Sequence, residues 1–334
     1  MKKKVTILSI DGGGIRGIIP AVILYYIEKR LQLLSENPNA TLADYFDLVA
    51  GTSTGGILAC YYLHPKRYSA SEAIDMYVKY GKDIFNRKLL RYGVAREKYP
   101  ATGLEKVLNE CMGDVTLAEM QKNCMITAYD VTERKAVFFT TPEAKKYEHR
   151  NYYLRDVARS TSAAPTYFEL SAIKSIGGAS SYLIDGAMYA GNPTMCAVVE
   201  ANKTVFESCA NPDIDDLFIV SVGTGKEKKM YDYNKAKGWG AVGWAKPIID
   251  ILLSASAEVV DYQLRQLFAV AGCRDCYVRL EPELGKAKPD MDDATDDNIL
   301  QLKDAAECYI KDHLEKLDNL VKRLIKIQHD QTQI

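Results

Sequence analysis

Gly51-Thr52-Ser53-Thr54-Gly55 is a G-x-S-x-G set between an apolar run, Asp47–Ala50, and a stretch of helical spacing, Gly56–Leu63. A serine in that setting sits on a turn so sharp that its flanks, here Gly51 and Gly55, must be glycine. The turn lifts the hydroxyl above a sheet edge. The helix N-terminus just beyond it supplies partial positive charge where an oxyanion would form. The chemistry expected is nucleophilic attack by Ser53 on a carbonyl. The plainer alternative is a small-residue turn where a helix packs closely on a strand.

Asp11-Gly12-Gly13-Gly14-Ile15-Arg16-Gly17 likewise follows a strand and opens a helix. Gly12, Gly14 and Gly17 fit G-x-G-x-x-G, the dinucleotide fingerprint. That fingerprint also asks for a second strand ending in an acid about 20 residues on. The only candidate, Glu36, stands in a helix-ending loop, Ser35-Glu36-Asn37-Pro38. The other reading is an oxyanion hole, in which side-chain-free amides at a helix N-terminus converge on the carbonyl that Ser53 attacks. Arg16 would then anchor the loop or bridge to an anionic head group; a solvated cation at the helix start is the simpler role.

A serine hydroxyl needs a base. The chain has four histidines, His64, His149, His313 and His329. His313 and His329 lie among Lys, Glu and Asp on a C-terminal helical stretch, and His149 lies in a polar run. His64 is roughly three helical turns beyond Ser53. None is placed for a triad. Asp185-Gly186-Ala187 follows the apolar strand Tyr182–Ile184, which delivers a carboxylate to a sheet edge. Partly desolvated there, Asp185 would have its proton affinity raised and could take the serine proton directly. Taken alone, an Asp-Gly after a strand is an ordinary turn.

The elements that must position these residues alternate. Val5–Ile10, Asp47–Ala50, Tyr182–Ile184, Leu217–Val222 and Cys276–Leu280 read as strands, and Cys124–Thr132 with Ala136–Thr141 as a hairpin or strand pair. Ile18–Leu34, Glu72–Phe85, Gly103–Met112, Leu154–Thr161 and Trp239–Phe268 read as helices, with Ile299–Ile327 one long amphipathic helix. Alternation of this kind gives an α/β layer fold with a mostly parallel sheet. No linker-like shift divides the 334 residues, so one domain spanning 1–334 is expected, with a C-terminal helical segment at about 299–330. A chain 47% hydrophobic and 26% charged can bury a sizeable core, which excludes disorder as a main theme. Forty-three Lys and Arg against 44 Asp and Glu leave a net charge of −1, a poor match to a nucleic-acid backbone.

The start Met1-Lys2-Lys3-Lys4 leads into an apolar run too short for a signal peptide, and no stretch reaches the length of a bilayer span. The eight cysteines are scattered, and Cys273-Arg274-Asp275-Cys276 lacks the second ligand pair of a zinc site. A cytoplasmic protein is the expectation.

Three segments in this order, Asp11–Gly17, Gly51–Gly55 and Asp185–Ala187, resemble the signatures of the patatin-like phospholipases. The resemblance covers nearly the whole chain. It extends to Ala43–Asp47, Ser162–Phe168, Ser221–Gly225 and Met291–Ala294. It implies a three-layer α/β/α sandwich and a lipid acyl hydrolase with a Ser53–Asp185 dyad, the Gly12, Gly13 and Gly14 amides as oxyanion hole, and an acyl-enzyme released by water. It implies no cofactor and no calcium, and a phospholipid, galactolipid or other acyl ester as substrate. Two rival functions share the features: an acyltransferase using the same acyl-enzyme, and a non-catalytic storage or binding protein. Contact with a membrane surface would suit the basic, aromatic segment Arg87–Tyr99, which read plainly is a basic surface loop. No protein partner or activator is legible.

Overall fold

The computed structural model describes residues 3–85, 97–226 and 231–332. β1 (Val5–Ile10) is buried along its whole length, as expected of a near-continuous apolar run in the middle of a covered parallel sheet. Around it the chain lays down β2 (Leu48–Gly51), β3 (Asn123–Asp130), β4 (Lys135–Thr140), β5 (Ser171–Lys174), β6 (Ser180–Asp185), β7 (Leu217–Val222) and β8 (Tyr277–Leu280). The eight strands form one sheet in the order β5-β6-β3-β2-β1-β7-β8, with β4 added on β3. Its centre, from β3 through β8, is parallel, and the pairs involving β4, β5 and β6 are antiparallel.

The helices are α1 (Ile18–Leu34), α2 (Thr54–Tyr62), α3 (Ala70–Ile84), α4 (Thr102–Met112), α5 (Thr141–Lys146), α6 (Leu154–Thr161), the short turn α7 (Ala187–Ala190), α8 (Thr194–Asn202), the turn α9 (Tyr233–Ala236), α10 (Ala241–Val270), α11 (Asp296–Asp312) and α12 (Leu314–Thr332). They flank the sheet. α1 packs against α3, α11 and α12, while α8 lies on β1 and β2, and α10 on α7, α8 and β8. The single helix expected over 299–327 is two, broken at His313. A straight helix from Asp296 to Thr332 would run roughly 55 Å at 1.5 Å per residue. The break lets both halves fold back along α1. β5 and α8 were not foreseen, being short and weakly patterned.

One detail of the topology positions the site. β4 occupies one edge of β3 from Met125 to Asp130. On the other edge, β2 pairs in parallel with residues up to Ile126, and β6 pairs antiparallel from Ala128 onward. β2 and β6 therefore run head-on along that edge. Their C-terminal ends, at Gly51 and Asp185, stop on either side of Thr127. The Thr127 hydroxyl shares a 2.7 Å hydrogen bond with Thr52.

Candidate active site

Ser53 begins where β2 ends. Its backbone is left-handed at φ 55, ψ −124, a region that L-residues occupy only when the surroundings enforce it. Three hydrogen bonds do so. The Gly55 amide returns to the Thr52 carbonyl (2.8 Å), the Ile57 amide starts α2 on the Ser53 carbonyl (3.0 Å), and the Ser53 amide donates to Thr161 Oγ1 (2.8 Å). Gly55 presses on the end of β1, and a Cβ there would overlap the Ile10 carbonyl oxygen. The G-x-S-x-G pattern thus meets its structural condition.

Asp185 is 2% exposed and ends β6. Its amide donates to Ala163 (3.0 Å), and its carboxylate accepts the Ala187 amide at 2.8 Å. Burial raises its pKa from the ordinary carboxylate range to about 7; the hydrogen bonds from Ala187 and from the Ser53 hydroxyl pull the other way. No cation contributes to that balance.

The glycine loop completes the edge. Asp11 follows β1 and makes a two-pronged ion pair with Arg279 of β8, at 3.0 and 2.6 Å. Arg279 also donates to Ser221 (2.8 Å) and pairs with Glu281. Burial raises the Asp11 pKa to about 6 against the opposing pull of the guanidinium. Beyond Asp11, the Gly12 amide is donated to the Gly191 carbonyl (2.9 Å), and the Ile15 amide to the Met291 carbonyl (2.8 Å). The expectation that all three glycine amides are available is therefore corrected: Gly12 is used to hold the loop. Gly13 and Gly14 are the loop amides with no acceptor among the described residues, and both line the cavity that contains Ser53 and Asp185. Gly14 takes φ +60, and a Cβ there would overlap the Met291 carbonyl. Arg16 turns back to the Gly13 carbonyl (3.4 Å), the anchoring role. Gly17 leaves room for the hydrogen-bonded pair Thr54 and Tyr77.

That cavity has an empty volume of about 840 Å³, its mouth included. Apart from Ser53, Asp185 and the hydroxyl-bearing Thr54, Ser162, Tyr77 and Tyr167 its wall is apolar, with Ile57, Ile84, Phe85, Leu104, Phe168 and Met291 among the contributors. Such a wall accepts a hydrocarbon chain. No histidine lines it among the described residues. His64 is buried against the Met112 carbonyl (3.3 Å), and burial lowers its pKa; His313 sits on the Tyr309 carbonyl (2.9 Å).

The sequence profile described as Patatin-like phospholipase matches residues 8–198, a span holding the glycine loop, Ser53 and Asp185. The chain belongs to the patatin-like phospholipase family. Membership makes lipid acyl hydrolysis its general activity and lipids its substrate class. Patatin-like protein 2 of Oryza sativa subsp. indica is 34% identical over 350 residues, covering 95% of this chain and 86% of the relative. Patatin-like protein 2 of Arabidopsis thaliana is 34% identical over 326 residues (88% and 80%). Patatin-04/09 of Solanum tuberosum is 30% identical over 358 residues (100% and 92%).

Three supports of this patatin-like site escaped the sequence. Thr161 holds the elbow amide, Gly191 holds Gly12, and Arg279 holds Asp11. Only Arg279 left a signal: an arginine between Val278 and Leu280 in a buried strand requires a buried partner. Residues 87–96 of the basic segment Arg87–Tyr99 lie outside the described residues. At its end Lys98 and Tyr99 turn inward to Asp292, Tyr99 at 2.7 Å, so these two are committed to the fold.

Proposed function

We propose that this chain hydrolyses acyl esters of lipids through a Ser53–Asp185 dyad. The observation that carries the reading is a buried carboxylate, free of cations and with a pKa near neutrality, facing a strained serine in the wall of an apolar cavity. Ser53 Oγ attacks the ester carbonyl as its proton passes to Asp185. The negative charge that develops on the carbonyl oxygen is met by the Gly13 and Gly14 amides and the N-terminus of α2. Collapse returns the proton from Asp185 to the departing alcohol and leaves the acyl group on Ser53. Water, deprotonated by Asp185, then releases the fatty acid and regenerates both groups.

No step of this scheme uses a metal, so turnover is expected to persist in a chelator. The eight cysteines, all free, suit a reducing compartment such as the cytoplasm. The test is incubation with mixed phospholipids, galactolipids and neutral glycerides, with and without an added alcohol acceptor, followed by mass analysis. Free fatty acid that disappears with Ser53→Ala supports the hydrolase. Acyl transfer to the alcohol in preference to water points to an acyltransferase, and release unchanged by Ser53→Ala rejects the dyad.

A further inference from the structure

α10 carries an uncovered apolar stripe. Trp244 is 39% exposed, Ile248 49%, Leu252 46% and Tyr262 66%, and Ile251 and Val259 are exposed as well. At 100° per residue these six side chains fall within about 100° of helix circumference, and none is charged. From Trp244 to Tyr262 the stripe runs roughly 27 Å at 1.5 Å per residue. A helix covered on one side only, with this much apolar surface on the other, needs an explanation.

Composition at the N-terminal end of the helix supplies one. Residues 227–246 contain five lysines (228, 229, 235, 237, 246) against two acids, Glu227 and Asp232; Lys237 stands over the Tyr233 ring, while the preceding Lys226 is paired with Glu258 of α10. The chain's two tryptophans both lie there, Trp239 edge-on to Trp244 with ring centres 5.1 Å apart, and Tyr231 edge-on to Trp239 at 5.5 Å. Tyr233, 76% exposed, stands on the turn before them. An apolar stripe that carries indole rings at its start and follows a lysine-rich stretch of sequence matches the layered chemistry of a bilayer surface: acyl chains, then carbonyls that favour Trp and Tyr, then anionic head groups. No described helix is long and apolar enough to cross a membrane, so the matching mode is lying in the interface. α10 packs on α7, whose Ala187 and Met188 line the Ser53 cavity.

We propose that the stripe Trp244–Tyr262 of α10, with Lys237 and the rings of Tyr233 and Trp239 before it, docks the protein on anionic lipid surfaces and so brings the Ser53 cavity to its substrate. The docking role rests on the lipid-hydrolase reading, but its test does not.

The full chain is mixed with vesicles of phosphatidylcholine alone and with one quarter phosphatidylglycerol, and binding is followed by flotation and tryptophan emission. Expected are preferential binding to the anionic vesicles, a blue shift of emission, quenching by brominated lipids, and weakening by salt. Ile248→Glu with Leu252→Glu, and separately Val259→Glu with Tyr262→Glu, lie on the exposed stripe and leave the core alone. Each pair should reduce binding and vesicle hydrolysis at least tenfold while hydrolysis of a monomeric short-chain ester is unchanged. Binding unaffected by both pairs, or no emission change on vesicles, overturns the proposal. So does a parent dimer that the substitutions convert to monomer with vesicle binding intact, which would make the stripe a contact between copies. Stripe-dependent binding without hydrolysis of either ester supports the docking face and counts against the dyad instead.

Discussion

Two aspartates at the same sheet edge look alike in sequence and behave differently in the fold. Asp11 follows the apolar strand β1 and precedes Gly12; Asp185 ends the apolar strand β6 and precedes Gly186. Both are buried, at 4% and 2% exposure. Asp11 meets a guanidinium from β8, 268 residues along the chain, and becomes one half of a structural ion pair. Asp185 meets an amide and a hydroxyl and no cation, and its pKa is raised to about 7, against about 6 for Asp11. Burial is common to both. The partner decides whether a desolvated carboxylate is tied to a cation or left without one.

The sharpest way to break this contrast is to neutralise each aspartate in turn. Asp185→Asn keeps shape and can still accept the Ala187 amide, yet has no proton-accepting charge. We expect kcat to fall by about 10³-fold or more, on the scale of losing a catalytic base. Stability should move the other way. A carboxyl with a raised folded pKa favours the folded state while protonated, and that advantage is lost as pH climbs from 3.8 to about 7. The Asn variant should therefore gain on the parent at pH 8 relative to pH 4, by on the order of a few kcal/mol in denaturant melts. A fully active Asp185→Asn protein would sink the dyad.

Asp11→Asn should reverse the pattern. It leaves Arg279 buried with Ser221 and Glu281 only, and we expect about 3 kcal/mol of destabilisation, the low end for a broken buried pair. Activity should fall only about tenfold, through a loosened glycine loop. A thousandfold loss of kcat with an intact melting curve would mean that Asp11, too, takes part in proton transfer.

Gly13→Ala tests what the Asp11 brace is for. A methyl group there would overlap the Thr224 side chain and push the loop off its position. We expect kcat on a soluble ester to fall by roughly 10²-fold with little change in KM, the signature of lost oxyanion donors. The pH profile of the parent comes next. Because Asp185 must be ionised to act, kcat/KM should rise with pH through an apparent pKa of about 7 and fall tenfold per unit well below it. A lower limb near pH 4 would show that burial does not tune this carboxylate. The smallest effect is expected from replacing His149, His313 and His329 together, which should leave most turnover; a large loss would return a histidine to the mechanism.

The elements flanking the site were largely legible. β1, β7 and α6 have the expected bounds, because near-continuous apolar runs and helical spacing are local signals. Ser53 was legible for a related reason: an elbow needs small residues at fixed positions, and Gly51 and Gly55 record that need. The break at His313 was not legible, since helical periodicity continues through it. Nor was the antiparallel course of β6, which depends on an edge of β3 left open beyond Ile126.

By itself the sequence determined the family, the glycine-flanked serine on its turn, the glycine loop and the shortage of histidine that turns attention to a carboxylate. These reside in residue types at fixed short spacings. Tertiary structure alone decided which loop amides are already hydrogen-bonded, which aspartate is paired with a cation, and that β2 and β6 meet end to end across Thr127. Those are relations between segments more than 100 residues apart, and a carboxylate's proton affinity depends on what surrounds it in space.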